Sequence, residues 1–455
     1  MQLKADHGAI RRQLMLASCS LLGVATARAQ QAGDAAAPVD TSEQTFESAI
    51  SYYHEDGRIT AIEPMVSLHS DDGNGTQHTL SAVFDSLSGS SPNGALPSSK
   101  PQTFATPSGS SLNSTAQTYT TASGQSTTSV APTYVVDAGQ LPVDPKYQDM
   151  RVALSALAQQ PLRAFDRWRF GGTLSWEHDF LSLAGNAGYS RDFNEKNTTL
   201  SAGLNEEYDL LKPIGGAPVP GSDYSLFQKQ GGKSKNGVGL QLGVTQVMTR
   251  RWLAEFNVTA DRFSGYLNDP YKIVSILDAQ GNTTGYVTEK RPGERLRRSA
   301  YLENRVAFDR TTVTVAGRYM NDDWGVHSST LEANLRWWNP DHDRYLQPSV
   351  RWYRQSAADF YTPWILASTG NYSTLETADA RLGAFHAATF GLKYAIKISR
   401  TGSLPGQEPS EFNVRLQVYR QDADQKRANP TALQDIELYP ALRAVMLQVG
   451  YRFAY

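Results

Sequence analysis

The run Val445-Met446-Leu447-Gln448-Val449-Gly450-Tyr451-Arg452-Phe453-Ala454-Tyr455 alternates without a break. Val445, Leu447, Val449, Tyr451, Phe453 and Tyr455 share one parity, and Met446, Gln448, Gly450, Arg452 and Ala454 share the other. Successive side chains of a strand point to opposite faces, so this segment is a strand with one apolar face. Such a strand leaves unpaired backbone groups along both edges, and the rest of the chain has to supply a sheet that continues it. The same pattern recurs upstream. Trp252, Ala254, Phe256, Val258 and Ala260 alternate with Glu255, Asn257, Thr259 and Asp261; Leu331, Ala333, Leu335 and Trp337 alternate with Glu332, Asn334 and Arg336.

Mean hydropathy is −0.45, and no uncharged apolar run approaches the length of ~18 residues that a membrane helix needs. Helical spans are thereby excluded. Membrane strands need only ~10 alternating residues, half of them polar, so a transmembrane β-barrel is compatible with this average. A net charge of −2 argues against nucleic acid as a partner, since phosphate recognition wants a concentrated basic surface.

Residues 1–29 read as an export signal: Lys4, Arg11 and Arg12, the apolar stretch Leu14 to Thr26, then Ala27-Arg28-Ala29 as a small-x-small cleavage site. Arg11-Arg12 loosely fits a twin-arginine signal, and Leu16-Ala17-Ser18-Cys19 resembles a lipoprotein cleavage box. The apolar stretch is too short before Cys19 and continues beyond it, which favours cleavage after Ala29. Cys19 is the only cysteine, so the mature chain would have no disulfide, thiolate metal site or cysteine nucleophile. Residues 30–45, rich in Ala, Gln and Asp, read as a disordered lead-in to a barrel over 46–455.

Turn chemistry divides the remainder into sixteen alternating stretches, near 46–55, 58–71, 76–87, 147–160, 167–179, 181–193, 197–209, 236–248, 251–264, 298–309, 311–322, 325–339, 342–355, 384–398, 410–421 and 440–455. An even count is required of an up-and-down antiparallel barrel, and fourteen or eighteen strands stay open. Counting back from Tyr455 places short links at 339–342, 309–311, 248–251, 193–197, 161–166 and 71–76 on one membrane side. The other side receives 88–146, 210–235, 265–297, 356–383 and 422–439, which are the longest connections apart from 399–409. Short periplasmic turns and long extracellular loops are the barrel pattern. Trp168, Trp176, Phe180, Trp252, Trp337, Tyr345, Trp352, Tyr361 and Trp364 fall mostly near strand ends, where aromatic girdles sit.

The closing alternation, with Val449, Tyr451, Phe453 and Tyr455 on its apolar face, resembles the last strand of bacterial outer-membrane barrels; the resemblance implies that the barrel-assembly machinery reads those residues. Further strings are similar to an uncharacterised family of outer-membrane barrel proteins defined as a domain of unknown function. They are Ile59-Thr60-Ala61-Ile62-Glu63-Pro64, the stretch Phe84 to Ala95, Gly265-Tyr266-Leu267-Asn268-Asp269-Pro270-Tyr271-Lys272, Tyr319-Met320-Asn321-Asp322-Asp323-Trp324, and Arg351 to Tyr361. The resemblance spans nearly the whole mature chain. It implies a barrel and, by association only, periplasmic partners such as small lipoproteins, thioredoxin-like proteins and flavin-attaching enzymes. It carries over no catalytic residue.

Projecting the alternation inward puts Glu303 and Arg305 on one strand, Arg318 on the next, Glu332 and Arg336 on a third, and Arg351 with Tyr353 on a fourth, joined by Lys393, Lys397, Arg415, Arg452 and Gln448. Two readings stay open. One is a ladder of salt bridges that stiffens the wall. The other is a field across a pore that selects solutes by charge, with an excess of basic groups in the second half favouring anions. The stretch 88–146, crowded with Ser, Thr, Pro and Gly, cannot pack a core by itself and either stays on the surface or folds inward to narrow the lumen. Asn268-Asp269-Pro270 is equally turn chemistry or a binding string.

Glu177-His178-Asp179 places its histidine and its carboxylates on opposite faces of one strand, which argues against a hydrolytic triad. His54, His69 and His78, near Asp56 and Asp71, have no metal-site spacing. No cofactor motif is present, so neither metal nor cofactor is expected. The sequence thus predicts a Gram-negative outer-membrane barrel acting as a channel or transporter for a small solute. A scaffold or exporter for partner proteins is the alternative, and an outer-membrane hydrolase ranks third.

Overall fold

The computed structural model describes residues 43–105, 113–120, 126–144, 147–224, 229–369, 374–398, 410–424 and 426–454. Tyr455, the signal region with Cys19, and the 399–409 connection lie outside them. Sixteen antiparallel strands form one closed barrel, each bonded to its sequence neighbour. They are β1 (Glu43–Glu55), β2 (Thr60–Asp71), β3 (Gln77–Ser88), β4 (Gln148–Arg163), β5 (Asp166–Glu177), β6 (Phe180–Phe193), β7 (Thr198–Leu211) and β8 (Lys233–Thr249). The ring continues with β9 (Trp252–Gly265), β10 (Glu294–Ala307), β11 (Thr311–Asp322), β12 (His327–Trp338), β13 (Arg344–Gln355), β14 (Phe385–Ile398), β15 (Ser410–Ala423) and β16 (Leu442–Ala454).

β16 closes the ring on β1 from Thr45↔Ala454 to Glu55↔Ala444, so the edge groups of the first and last strands satisfy each other. The sixteen-strand reading is correct, and boundaries differ by a few residues. The largest shift is at β10, which starts at Glu294 rather than near 298, where Arg262 bonds Glu294 at 2.9 Å and Arg297 approaches Asp261 at 3.5 Å.

One parity of every strand is apolar and faces outward. Val445, Leu447 and Val449 of β16 are exposed, as are Leu302, Val315, Leu331, Val350, Phe390 and Leu416 around the ring. A belt of that extent is untenable in water and suits hydrocarbon, which separates this wall from a soluble sandwich. Trp168, Trp176, Trp252, Trp337 and Trp352 stand exposed on the same outer face. Other aromatics expected in the girdles do not belong there. Tyr345 is buried on the inner face, Phe180 is buried at the rim, and Trp364 and Tyr361 pack inside the long connections.

The two rims differ. One carries the turns 72–76, 164–165, 194–197, 250–251, 308–310 and 339–343; the other carries 89–147, 212–232, 266–293, 356–384 and 424–441. The long connections hold structure that the sequence did not reveal. Gln102–Ala105, Asn113–Thr120 and Ser126–Val136 form a small sheet, and Ile273–Leu277 pairs with Thr283–Thr288 and, in parallel, with Trp364–Leu366.

Candidate functional site: the lumen wall and the loop layer at its mouth

The inner parity lines the lumen with the charged residues that alternation assigned there. Glu332 and Arg351 face each other in register across β12 and β13 and pair at 2.8 Å. The Arg351 guanidinium lies 5.7 Å from the Tyr353 ring, whose hydroxyl donates to Gln355 at 2.7 Å. Arg452 meets Glu47 at 3.3 Å across the β16–β1 seam, and Gln448 sits opposite Ser51. Glu303, Arg305 and Arg318 are arranged differently from a cross-strand ladder. Arg305 binds Glu303 along its own strand at 2.9 Å, whereas Arg318 lies over the Tyr301 ring at 5.2 Å. The reason is register: Glu303 faces Glu255 on β9 and Ala316 on β11, so its nearest cation is two residues along.

Near the short-turn rim the wall is basic and aromatic. Tyr345 is buried, donates to Glu411 at 3.0 Å, and has the Arg336 guanidinium 4.7 Å and the Lys393 ammonium 5.3 Å from its ring centre. Arg336 also donates to Gln347 at 3.0 Å, and Lys393 approaches Glu411 at 3.2 Å. Arg415 stands directly opposite Lys393 in the β14–β15 register. Lys397 lies over Trp338 at 4.4 Å.

The first half of the ring has the opposite tendency, which the projection of the second half alone did not weigh. Glu47, Glu63, Asp85, Glu177, Asp192 and Asp209 face inward there. Some are paired locally: Arg151 with Asp85, Lys235 with Asp209 at 3.1 Å, and Arg167 with Asp192 at 2.7 Å. The lumen therefore has an acidic arc and a basic arc. His54 bonds Thr60 at 2.9 Å and His69 bonds Thr79 at 3.0 Å, on opposite faces of the wall, and His178 is exposed in the β5–β6 turn.

The long connections meet over the mouth. The β3–β4 and β9–β10 junctions lie six strands apart on a ring of sixteen, roughly 29 Å along the wall at the usual strand spacing. Yet Ile273 N–H donates to Asn93 O at 2.9 Å, and Leu96 N–H donates to the Ser275 hydroxyl at 2.9 Å. Contacts between such distant junctions require the two connections to cross the opening. Ala95, Phe104, Val136 and Ile273 form one apolar cluster, and Leu96, Leu277, Trp364 and Leu433 form another. Arg427 adds the 424–441 connection by donating to Trp364 O at 3.0 Å. Ala95, Leu96, Phe104 and Val136 of the 88–146 segment thus share a core with the neighbouring connections.

The same connections hold a buried ionic knot that absorbs the Asn268–Lys272 string. Arg291 binds Glu289 at 2.7 Å and Asp379 at 2.8 Å. Arg381 donates to Asp379 through Nε at 2.7 Å and to Asp269 at 3.1 Å. The Thr377 hydroxyl donates to Glu289 at 2.6 Å, and Asn268 accepts from the Arg291 backbone N–H at 2.7 Å. The Lys272 ammonium reaches Pro92 O, tying in the β3–β4 connection, and Tyr271 donates to Asp179 in the β5–β6 turn.

Burial pushes the Glu289 carboxyl up to about 7; Arg291 opposes this, and the Asp269 and Asp379 carboxylates reinforce it. Burial acts on Asp379 in the same sense, but Arg381 and Arg291 outweigh it and hold that carboxyl far below its usual range. Charges desolvated to this degree are tolerable only because each is paired and hydrogen-bonded.

The sequence matches the family model described as a protein of unknown function (DUF3570) over residues 11–453. The chain belongs to the DUF3570 family. The DUF3570 barrel also resembles solved outer-membrane structures at low identity. OccK2 (OpdF) of Pseudomonas aeruginosa is 9% identical with a TM-score of 0.39, over 91% of this chain and 98% of that one. OccD3 (OpdP) of the same organism is 10% identical with a TM-score of 0.40, over 93% of each chain. A bacterial polysaccharide outer membrane secretin is 8% identical with a TM-score of 0.41, over 92% of this chain and 100% of that one. No curated protein matches the sequence. The DUF3570 chain is a closed sixteen-strand β-barrel whose apolar outer belt is that of a transmembrane barrel.

Proposed function

We propose that this DUF3570 protein is a channel for small solutes, with its long-loop rim outside the cell and its short turns in the periplasm. The observation that carries the reading is a closed wall whose inner face bears charges in every quarter of the ring, which an inert lipid anchor would not need. The loop layer over the mouth acts as the constriction. Because acidic and basic arcs face each other, discrimination comes from local groups rather than from a single sign of charge, and a simple anion preference is not expected of the whole lumen. Purified protein in planar bilayers should give discrete conductance steps that enlarge when the loop layer is loosened.

A second reading is favoured by that same layer. A mouth crossed by packed loops suits a barrel that opens only with a partner, as a scaffold or exporter with periplasmic or lipoprotein partners in a redox or flavin-related assembly would. Conductance absent from the purified barrel but restored by a partner co-purified from native membranes would select it. Hydrolysis, the third reading, draws no support from His178, which is exposed in a turn.

A further inference from the structure

Lys393 of β14 and Arg415 of β15 face each other in register on the inner wall. Like charges directly opposite on neighbouring strands are unfavourable, and a barrel wall has every opportunity to avoid them. Here the pair is compounded. Gln347 of β13 is in register with Lys393, and Arg336 of β12 donates to Gln347 at 3.0 Å, so three cations lie along one level of four adjacent strands. The level continues to Gln448 of β16 and Ser51 of β1, which bring no charge.

One carboxylate is close. Glu411 accepts from Lys393 at 3.2 Å and from the Tyr345 hydroxyl at 3.0 Å. It belongs to the next charged level down, where it is in register with Lys397 and Arg452; Arg452 is in turn bound to Glu47 at 3.3 Å. Among the described residues, Arg336, Lys397 and Arg415 have no carboxylate partner. Arg336 and Lys397 instead lie over the rings of Tyr345 and Trp338, at 4.7 and 4.4 Å.

Between the two charged levels the wall carries no charge. Tyr345, Ala395, Asn413 and Gly450 occupy one level in register, and a Cβ added at Gly450 would meet the Asn413 side chain at 3.1 Å. Arg336 and Lys393 thus flank the buried Tyr345 ring, with the Asn413 amide on the same level beside Arg415. Arg336 and Arg415 thus differ from the paired charges elsewhere in the lumen, such as Glu332 with Arg351 or Asp209 with Lys235, and Lys393 reaches its carboxylate, Glu411, on the neighbouring level.

We propose that Arg336, Lys393 and Arg415 form a binding subsite for a small oxyanion, a carboxylate or phosphate group carried by a solute, on the periplasmic side of the lumen. The guanidiniums offer planar pairs of donors matched to such groups, and Asn413 and Gln347 supply neutral donors beside them. An incoming oxyanion relieves the repulsion that the empty wall carries. The proposal deepens the channel reading and rests on it only in requiring that the lumen admit solute.

The test is equilibrium binding by calorimetry to the purified full-length barrel in detergent, with citrate and inorganic phosphate as probes. Saturable binding of at least one is expected; preference for citrate identifies carboxylate recognition, and preference for phosphate identifies phosphoryl recognition. Arg415→Gln and Lys393→Gln should each weaken binding by about tenfold, while Arg354→Gln, at the opposite rim, leaves it unchanged. Arg415→Gln should also raise the thermal midpoint of the empty barrel, since it removes a repulsion.

No binding to the wild type, or binding indifferent to Arg415 and Lys393, overturns the subsite. A lowered midpoint in Arg415→Gln with binding intact assigns Arg415 to wall structure and has the same consequence. Conductance separates the two claims: binding without conductance leaves the subsite standing and removes the open channel, and conductance without binding does the reverse.

Discussion

Arg381, in the connection after β13, donates to the carboxylate of Asp269, in the connection after β9, at 3.1 Å and across 112 residues of sequence. That bond belongs to a buried network of Asp269, Glu289, Arg291, Asp379 and Arg381 that makes one layer out of connections entering a quarter of the ring apart. On the proposed channel reading, the layer rather than any single loop is the unit that opens or stays shut.

Removing one partner from such a network leaves a buried charge uncompensated, which typically costs about 3–5 kcal/mol. Arg291→Met, which strips Glu289 of its cation and leaves Asp379 with Arg381 alone, should release the 266–293 and 356–384 connections while the barrel strands persist. Hydrogen exchange resolved by peptide should show protection lost in those two connections and kept in β9, β10, β13 and β14.

The layer should also respond to pH, and the sign follows from Glu289. Its folded-state pKa of about 7 lies above the ordinary value of 4.5, so the packed layer binds a proton that the loosened layer releases. Stability of the packed layer is greatest below pH 4.5 and falls as pH rises towards 7. Exchange rates in 266–293 should therefore rise across that window, and Glu289→Gln should flatten the profile. Asp379, depressed by its two guanidiniums, contributes in the opposite sense only at far lower pH.

Gly94 presses the β3–β4 connection against the β9–β10 connection. Its φ is +96°, and an added Cβ would fall 2.5 Å from Ile273 O. Gly94→Ala combines a left-handed backbone with that clash and should destabilise the layer by about 2 kcal/mol or more. Limited proteolysis should cut the 89–147 connection in the variant under conditions that spare the parent.

The closing strand bears on assembly before it bears on any activity. Phe453 packs on Phe46 with ring centres 5.3 Å apart, and the neighbouring Arg452 pairs with Glu47, so β16 is held to β1 on both faces of the wall. Deleting residues 453–455 should abolish the heat-modifiable, surface-exposed form. Normal yield of that form would show that these residues are dispensable for closure.

The barrel was legible because its two signals are local. Alternation such as Val445 to Phe453 fixes the face of each residue, and the short turn from Asp71 to Gln77 fixes the partner of each strand. Side-chain direction followed at once, which is why Glu332, Arg351 and Arg452 stand where parity puts them. The register between strands was not legible, and it decides who meets whom. Glu303 therefore turned out to face Glu255 instead of a cation, and Lys393 to face Arg415.

The loop layer was less legible still. Asn268-Asp269-Pro270 reads as turn chemistry because the partners that make it a knot, Arg291, Asp379 and Arg381, lie in other connections. Tyr345 and Trp364 read as girdle residues because nearness to a strand end does not distinguish outer from inner face or wall from loop.

The central claim is a solute channel whose mouth is controlled by this ionic knot. Its most direct test is single-channel recording of the wild type and Arg291→Met in planar bilayers at pH 7. The account predicts discrete steps for the wild type and a larger, longer-lived open level for the variant. Membranes that stay silent with both proteins, although heat-modifiability shows both barrels folded, would contradict it.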